Sequence, residues 1–341
     1  MAGRKKKRNI WMVPVIAAAA VLLVGGVMVY RGAKRLQAEQ ASVSVSAEQS
    51  ESVPSDPQEN TVTWNGNEYV YNDHLSNFLF LGIDTREKTE TRTGRADAGQ
   101  ADALFLLSWD RMSGSLSLIS IPRDTMTSIE AFSADGESLG MTTDHISLSF
   151  AYGDGGYKSC ELTEEAVSNL FYGIPIQGYC AINMDGIPVL TDGIGGVTVT
   201  VPNDSLEEVD PSFQEGAEVL LTGENAETFV RYRDTETSQS ALDRQERQDA
   251  FLSAYGQQAA EAFQKNAGIL TDLYEALDPY MVTNIGNDQL LKIAESAAGG
   301  GSMNRWTVPG EGAEGTSFDE YHVDDGQLYT KILETFYEIA E

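Results

Sequence analysis

Apolar and polar positions along the chain fall into short blocks of differing period. The run Phe78–Ile83 is continuous, apolar and strand-length, and Asp84 closes it, which predicts a buried strand over 77–84. Ala103–Trp109 predicts a second. Ser115–Ile121 alternates with a period of two behind the turn Met112-Ser113-Gly114, so it should pair with the second strand as an antiparallel hairpin ending at Pro122-Arg123-Asp124. Further strands are predicted at 178–184, 197–201 and 306–308. Helical spacing marks 163–171, where Ala166, Val167, Leu170 and Phe171 share a face. It also marks 145–152, 185–192, 223–229, 243–265, 270–277, 288–298 and a closing helix over 324–340. Residues 85–100 are polar and contain Gly, hence a loop, and 128–143 has no clear period and reads as an irregular excursion. Strands interleaved with helices, one hairpin among them and no internal repeat predict an α/β fold with a mixed sheet flanked by helices.

The N-terminus changes this picture. Ile10 to Tyr30 is a 21-residue run without a charge, long enough to cross a bilayer as a helix. A secretory signal peptide is the alternative, with Arg4–Arg8 as its basic region. The run is long for that role, and no small-residue cleavage site follows it, so an uncleaved anchor is expected. Five basic residues precede the run and three follow it (Arg31, Lys34 and Arg35), which places the N-terminus in the cytoplasm. The organisation expected is a cytoplasmic tail (1–9), a transmembrane helix (10–30), a disordered extracellular stalk rich in Ser, Glu, Gln and Ala (31–61), and one extracellular domain (62–341).

Charge is equally uneven. Eight of the 23 basic residues precede Glu39, the first acidic one, so the remainder sets 15 basic against 52 acidic side chains, a balance of −37. A nucleic-acid partner needs a basic footprint and is excluded on that ground. Cys160 and Cys180 are the two cysteines. An outside location permits a disulfide between them, with two buried free thiols as the alternative.

Against this acidity, Arg231, Arg233, Arg244 and Arg247 fall within one short window. Guanidinium is a planar fork of donors suited to phosphate oxygens. Arg244, Arg247 and Gln248 share a helical face, and Arg231 and Arg233 leave the end of a predicted helix. Asp84 and Arg86 follow the first strand, Asp102 precedes the second, and Arg123 and Asp124 follow the third. Strand ends are where ligands of α/β sheets sit. Arginines would hold a polyanion, and carboxylates a divalent metal or a proton. Surface ion pairs with Asp234, Asp243 and Glu246 are the plain alternative, and Arg247 beside two of these acids fits a structural ion pair as well as a ligand. There is no G-x-S-x-G elbow, no Walker A loop, and none of the three histidines stands at a metal-ligand spacing.

In this order the clusters resemble the LytR–CpsA–Psr family of cell-envelope transferases. Phe78–Arg86 resembles its opening strand and G-x-D-x-R motif, Ala101-Asp102-Ala103 its R-S-D motif, and Ser120-Ile121-Pro122-Arg123-Asp124 matches S-I-P-R-D in full. Ala151-Tyr152-Gly153, Asp192–Val197, Leu221–Arg233 (A-L-x-x-x-R-x-R) and Arg244–Gln248 (R-x-x-R-Q) follow in register, over a matched core of 75–255. The resemblance implies a three-layer α/β/α sandwich with a mixed central sheet and a lipid-holding groove. It also implies transfer of a glycopolymer from an undecaprenyl-pyrophosphate carrier to peptidoglycan, forming a phosphodiester with Mg²⁺ (or Mn²⁺), at a membrane-anchored domain in a Gram-positive-type envelope. Carried over by motif, Arg86, Arg123, Arg231, Arg233, Arg244 and Gln248 would bind the pyrophosphate and Asp84 and Asp102 the metal. Arg123, Asp84 and Asp124 would be catalytic, with Asp124 or Asp84 accepting a proton. Gln100 departs from the R-S-D motif, where an arginine is expected, with Arg95-Ala96-Asp97 just upstream. His145 and Ser147 stand for Lys and Asn, and Ala241 for an Asp. A non-catalytic module binding polyprenyl phosphate or wall polymer, or a polyprenyl pyrophosphohydrolase, are the other readings.

Overall fold

The structure is a computed structural model and describes residues 61–340 apart from 87, 89, 233–239, 299–301, 316 and 317. The cytoplasmic tail, the transmembrane helix and the stalk expected over 1–61 lie outside the described residues, Thr61 excepted. Among the described residues no helix is long and apolar enough to cross a membrane.

Strands β1 (Thr61–Trp64) and β2 (Asn67–Tyr71) form a hairpin ahead of β3 (Leu75–Ile83), β4 (Ala101–Asp110) and β5 (Leu116–Ile121). A second hairpin, β6 (Met126–Phe132) and β7 (Ser138–His145), leads into α1 (Leu148–Ala151) and α2 (Tyr157–Leu170). Then come β8 (Gly178–Asn183), α3 (Gly186–Gly193), β9 (Val197–Thr200), β10 (Glu218–Leu221), α4 (Gly223–Arg231) and α5 (Ser240–Lys265). The chain continues through α6 (Ile269–Leu277), β11 (Met281–Thr283), α7 (Asn287–Ala298) and β12 (Met303–Thr307). It ends in the hairpin β13 (Gly310–Glu314) and β14 (Asp319–Val323), then α8 (Asp325–Phe336) and β15 (Tyr337–Ile339).

The central sheet has the order β11-β8-β3-β4-β5-β12. β3, β4 and β5 run antiparallel in turn, while β8 joins β3 and β12 joins β5 in parallel, so the sheet is mixed. Both of its faces are covered. Phe78, Phe80, Phe105 and Leu107 pack with Leu190 of α3, Phe229 of α4, Phe251 of α5 and Ile293 of α7. Their neighbours Leu79, Leu81, Leu104 and Leu106 point the other way, into Phe150 of α1, Val167 of α2 and Ile332 of α8. Period-two alternation along strands buried on both sides therefore builds the three-layer sandwich.

The structure departs from the sequence reading in several places. The excursion over 128–143 is the β6–β7 hairpin, and the closing helix over 324–340 stops at Phe336, where β15 turns back to pair with β2. α2 begins at Tyr157, not at Thr163. The disulfide between Cys160 and Cys180 is not formed. Cys180 lies in the core on one side of the sheet, Cys160 in the core on the other, and both are buried free thiols. Burial holds the Cys180 thiol up at about 12 and raises that of Cys160 as well.

Candidate functional site

Antiparallel pairing brings the motif residues together. Ile83, the last residue of β3, pairs with Ala101, the first of β4, and Ile121, the last of β5, pairs with Leu104. The segments carrying Asp84, Asp102, Arg123 and Asp124 therefore meet at one end of the sheet. β8, parallel to β3, ends at Asn183 beside Ile83 and delivers Asp185 to the same end.

Asp84 is fixed by the loop that precedes β4. Its amide donates to the Gln100 carbonyl at 3.1 Å, and the Gln100 amide donates to Asp84 Oδ1 at 2.7 Å. Gln100 thus holds Asp84 by its backbone, which any side chain permits. Gly99 makes this closure feasible: its φ of +88° lies in the left-handed region, and a Cβ there would come within 2.5 Å of Thr85 Cγ2 and 2.9 Å of Asp84 Oδ1.

Arg123 donates through Nη1 to Asp102 Oδ1 and through Nε to Asp124 Oδ1 at 3.2 Å. Its own carbonyl accepts the Ser147 amide at 3.2 Å, and the Asp124 carbonyl accepts the Tyr321 amide at 2.8 Å, so the β13–β14 hairpin braces this corner. Asp97, in the upstream Arg95-Ala96-Asp97, pairs instead with Arg95 at 3.4 Å and accepts from Thr91. Asp102 is the aspartate beside Arg123. Burial pushes its carboxyl up to about 6 against the pull of Arg123; Asp84 and Asp124 push the same way, and Arg244 pulls it down.

α4 carries the next arginine. Thr222 and Asn225 form a capping box at its N-terminus, and the Gly223 amide donates to Asp192 Oδ1 at 2.7 Å, which gives the aspartate of the D-x-x-G-G-V turn a structural task. Gly196 of that turn, at φ +95°, would place a Cβ 2.9 Å from the Leu221 carbonyl. At the other end of α4, Arg231 Nη1 donates to Glu227 Oε1 at 2.6 Å. Arg86 Nη2 reaches the same oxygen, also at 2.6 Å, and Arg86 Nη1 lies 3.9 Å from Asp185. Arg233 lies outside the described residues.

The two ends of the R-x-x-R-Q motif have different work. Arg244, on α5, is near enough to act on Asp102. Arg247 is only 1% exposed; its Nε donates to the Phe229 carbonyl at 2.8 Å, and its two Nη atoms donate to Ser205 Oγ and the Tyr232 carbonyl. It clamps the chain where α4 ends, through carbonyls and a hydroxyl rather than through Glu246. Burial lowers its pKa to about 10. Gln248 Nε2 donates to the Val230 carbonyl at 3.0 Å, on the same stretch.

Two functional candidates escaped the sequence reading. Glu227 precedes Arg231 by four residues on a helix, a spacing that signals an ion pair, but its second partner is distant in sequence. Asn183 is 5% exposed, and among the described residues neither its Oδ1 nor its Nδ2 has a hydrogen-bond partner. It lines a cavity of about 20 Å³ with Ile83, Thr85, Ala98, Phe150 and Val282. That volume admits about one water, not a prenyl chain.

Among the described residues no three His, Cys, Asp or Glu side chains are grouped to hold a metal ion. Mg²⁺ needs fewer, since it keeps its waters and takes substrate phosphate oxygens beside one or two carboxylates. Asp84 and Asp102 fit that mode: the buried Asp102, with acids on two sides, is a carboxylate that a cation would relieve.

The α/β/α sandwich gathers Arg123, Asp84, Asp102 and Asp124 at one end of its central sheet. The LytR_cpsA_psr family model matches residues 34–335, and the chain belongs to that family. A Halalkalibacterium halodurans polyisoprenyl-teichoic acid–peptidoglycan teichoic acid transferase, TagU, is 33% identical over 183 residues, covering 54% of this chain and 53% of that protein. Bacillus subtilis TagV, of the same description, is 28% identical over 269 residues, covering 76% of this chain and 63% of that one. Bacillus anthracis TagU is 28% identical, covering 77% and 79%. The chain thus spans about half to two thirds of the length of the first two. Among solved structures, B. subtilis TagV (22% identical, TM-score 0.55, covering 77% of this chain and 96% of that one) and TagT bound to LI-WTA (20%, 0.52, 83% and 97%) share the fold.

Proposed function

We propose that this protein transfers a glycopolymer from an undecaprenyl-pyrophosphate carrier to peptidoglycan. The observation that carries the reading is the meeting of Arg123, Arg231 and Arg244 with Asp84, Asp102 and Asp124 at one sheet end, in a family whose relatives are named as teichoic acid transferases. A hydroxyl of the acceptor sugar attacks the phosphorus that bears the glycan. The new P–O bond replaces the bond to the bridging oxygen, and the polyprenyl phosphate leaves. Arg123, Arg231 and Arg244, with Arg86 and Gln248 at the margin, hold the diphosphate and stabilise charge developing on its oxygens, and the motif adds Arg233 to them. Asp124, beside Arg123, is the carboxylate left to receive the hydroxyl proton, with Asp84 as the alternative. Mg²⁺ or Mn²⁺, when bound by Asp84 and Asp102, supplies further positive charge to the same oxygens. The apolar run over 10–30 would anchor the domain to the outer face of the cell membrane.

The test is purified protein with a labelled undecaprenyl-pyrophosphate glycan and a peptidoglycan oligosaccharide. A phosphodiester-linked product is expected, with a loss of about a hundredfold or more for Arg123→Ala. Full transfer by that variant would remove Arg123 from its role. Carrier bound without turnover would point to a binding module, and glycan phosphate released without joining the acceptor to a pyrophosphohydrolase.

A further inference from the structure

The Arg86–Glu227–Arg231 cluster departs from the motif that otherwise describes this region. In A-L-x-x-x-R-x-R, Ala226 and Arg231 match and Glu227 stands in place of the leucine. A buried or half-buried leucine on α4 would need no partner. A carboxylate there does, and it has two: Glu227 Oε1 accepts from Arg86 Nη2 and from Arg231 Nη1, each at 2.6 Å. The two donor nitrogens therefore lie no farther apart than twice 2.6 Å. The cluster joins elements distant in sequence, since Arg86 follows β3 and Arg231 ends α4. The carboxylate is 22% exposed, against 63% for Arg86 and 35% for Arg231, so the acid is the sheltered member and the guanidiniums face outward.

One oxygen shared by two guanidiniums is the arrangement a phosphate oxygen would take. We propose that Glu227 is a positioning residue that doubles as an internal competitor for the diphosphate: it holds Arg86 and Arg231 side by side at the site, and the ligand's phosphate must displace it from at least one of them. This rests on the reading of the site as a diphosphate site. Two consequences separate it from a merely structural ion pair. Removing the negative charge leaves two like charges close together, which an arriving anion relieves, so binding tightens. Shortening the acid to aspartate keeps the charge, so competition persists.

The test uses the full chain in detergent with farnesyl diphosphate as probe, titrated calorimetrically at low ionic strength. Glu227→Gln and Glu227→Leu should each bind about tenfold more tightly than the natural protein, the size expected from releasing two partly exposed ion pairs. Glu227→Asp should bind like the natural protein, and added salt should shrink the difference. In turnover, Glu227→Gln should lower KM, while a purely structural lesion would lower kcat instead. Equal or weaker binding by Glu227→Gln, in a variant whose melting temperature is unchanged, overturns the competitor role while leaving the diphosphate site standing. Absence of binding in the natural protein and in all three variants overturns both.

Discussion

Replacing Arg247 by methionine tests whether the R-x-x-R-Q motif divides into a ligand-facing arginine and a structural one. Methionine has a similar reach and no charge, so the substitution removes the hydrogen bonds while filling much of the space. Arg247 is 1% exposed and makes three hydrogen bonds, to the Phe229 and Tyr232 carbonyls and to Ser205 Oγ. Hydrogen bonds from a charged donor contribute about 1.5–3 kcal/mol each, so the gross loss is roughly 5–9 kcal/mol. Burying the guanidinium has its own cost, visible in a pKa lowered from 12.5 to about 10. At about 1.4 kcal/mol per pH unit this offsets roughly 3 kcal/mol of the loss. The net destabilisation expected is therefore about 2–6 kcal/mol, or a melting temperature lower by roughly 5–15 °C in a domain of this size.

The assay is thermal unfolding followed by circular dichroism, with transfer activity measured well below the transition. Arg247→Lys should rescue little, because one ammonium cannot serve three acceptors held around a planar fork. Transfer should fall too, since the clamp sets where the chain leaves α4 with Arg231. The outcome against a structural Arg247 is an Arg247→Met protein that melts within a degree of the natural one and yet loses transfer. That result would make Arg247 a ligand for the substrate.

Asp102→Asn should abolish transfer while raising stability at pH 7.5 by up to about 3 kcal/mol, because the folded carboxyl titrates at about 6 against an ordinary 3.8. The folded state keeps a proton that the unfolded state has lost between those values, so stability falls as pH rises through that window and is level above it; the gain should therefore vanish near pH 3.5, as urea unfolding at both pH values would reveal. The natural protein's transfer rate should fall on acidification as Asp102 gains its proton, at a pH below about 6 when a bound cation favours the carboxylate. Gly99→Ala should lower transfer more than stability, since its Cβ would collide with Thr85 and with Asp84 Oδ1; kinetics beside a melting curve would separate the two. Iodoacetamide should label neither cysteine in the native protein and both in denaturant without reductant, read by intact mass; failure of the second labelling would restore the disulfide.

What the sequence made legible follows from how each element is buried. β3, β4 and β5 are sandwiched between helices, so their apolar runs are long, and the S-I-P-R-D motif marks where the third ends. β7 is exposed along most of its length, and Leu139 and Met141 sit in the open, so its alternation carries no core signal and the hairpin read as an excursion. β13 (Gly310–Glu314) is likewise polar and glycine-containing, and only pairing with β14 makes it a strand. Tyr337 and Ile339 continue an apolar spacing past Phe336, and only the neighbouring β2 reveals that the backbone has become extended. In the site, motif order pointed to Asp84, Asp102 and Arg123, but spacing says nothing of which acid each arginine meets. The cysteines show the same limit from another side: a strand's sequence does not say which face of the sheet a helix will cover.

An acidic chain gathers arginines at one point by pairing them: Arg123 with Asp102 and Asp124, Arg86 and Arg231 with Glu227, and Arg244 within reach of Asp102. Leaving aside Arg233, four guanidiniums face the four carboxylates Asp84, Asp102, Asp124 and Glu227, and Asp185 near Arg86 tips the local balance to the acid side. A diphosphate diester adds about two negative charges, and a monoester such as farnesyl diphosphate about three, to a cluster already neutral or slightly negative, in a partly buried setting where screening is weak. A divalent cation restores the balance, and the acids around Asp102 are where it would do so. Diphosphate affinity should therefore depend on the cation even where no reaction occurs. Farnesyl diphosphate should bind at least about tenfold more weakly after chelation than with millimolar Mg²⁺, and Asp84→Asn combined with Asp102→Asn should bind it without regard to Mg²⁺. Equal affinity with and without the cation in the natural protein would mean that the arginines alone outweigh the acids, and that Glu227 and Asp102 release their partners more readily than this balance allows.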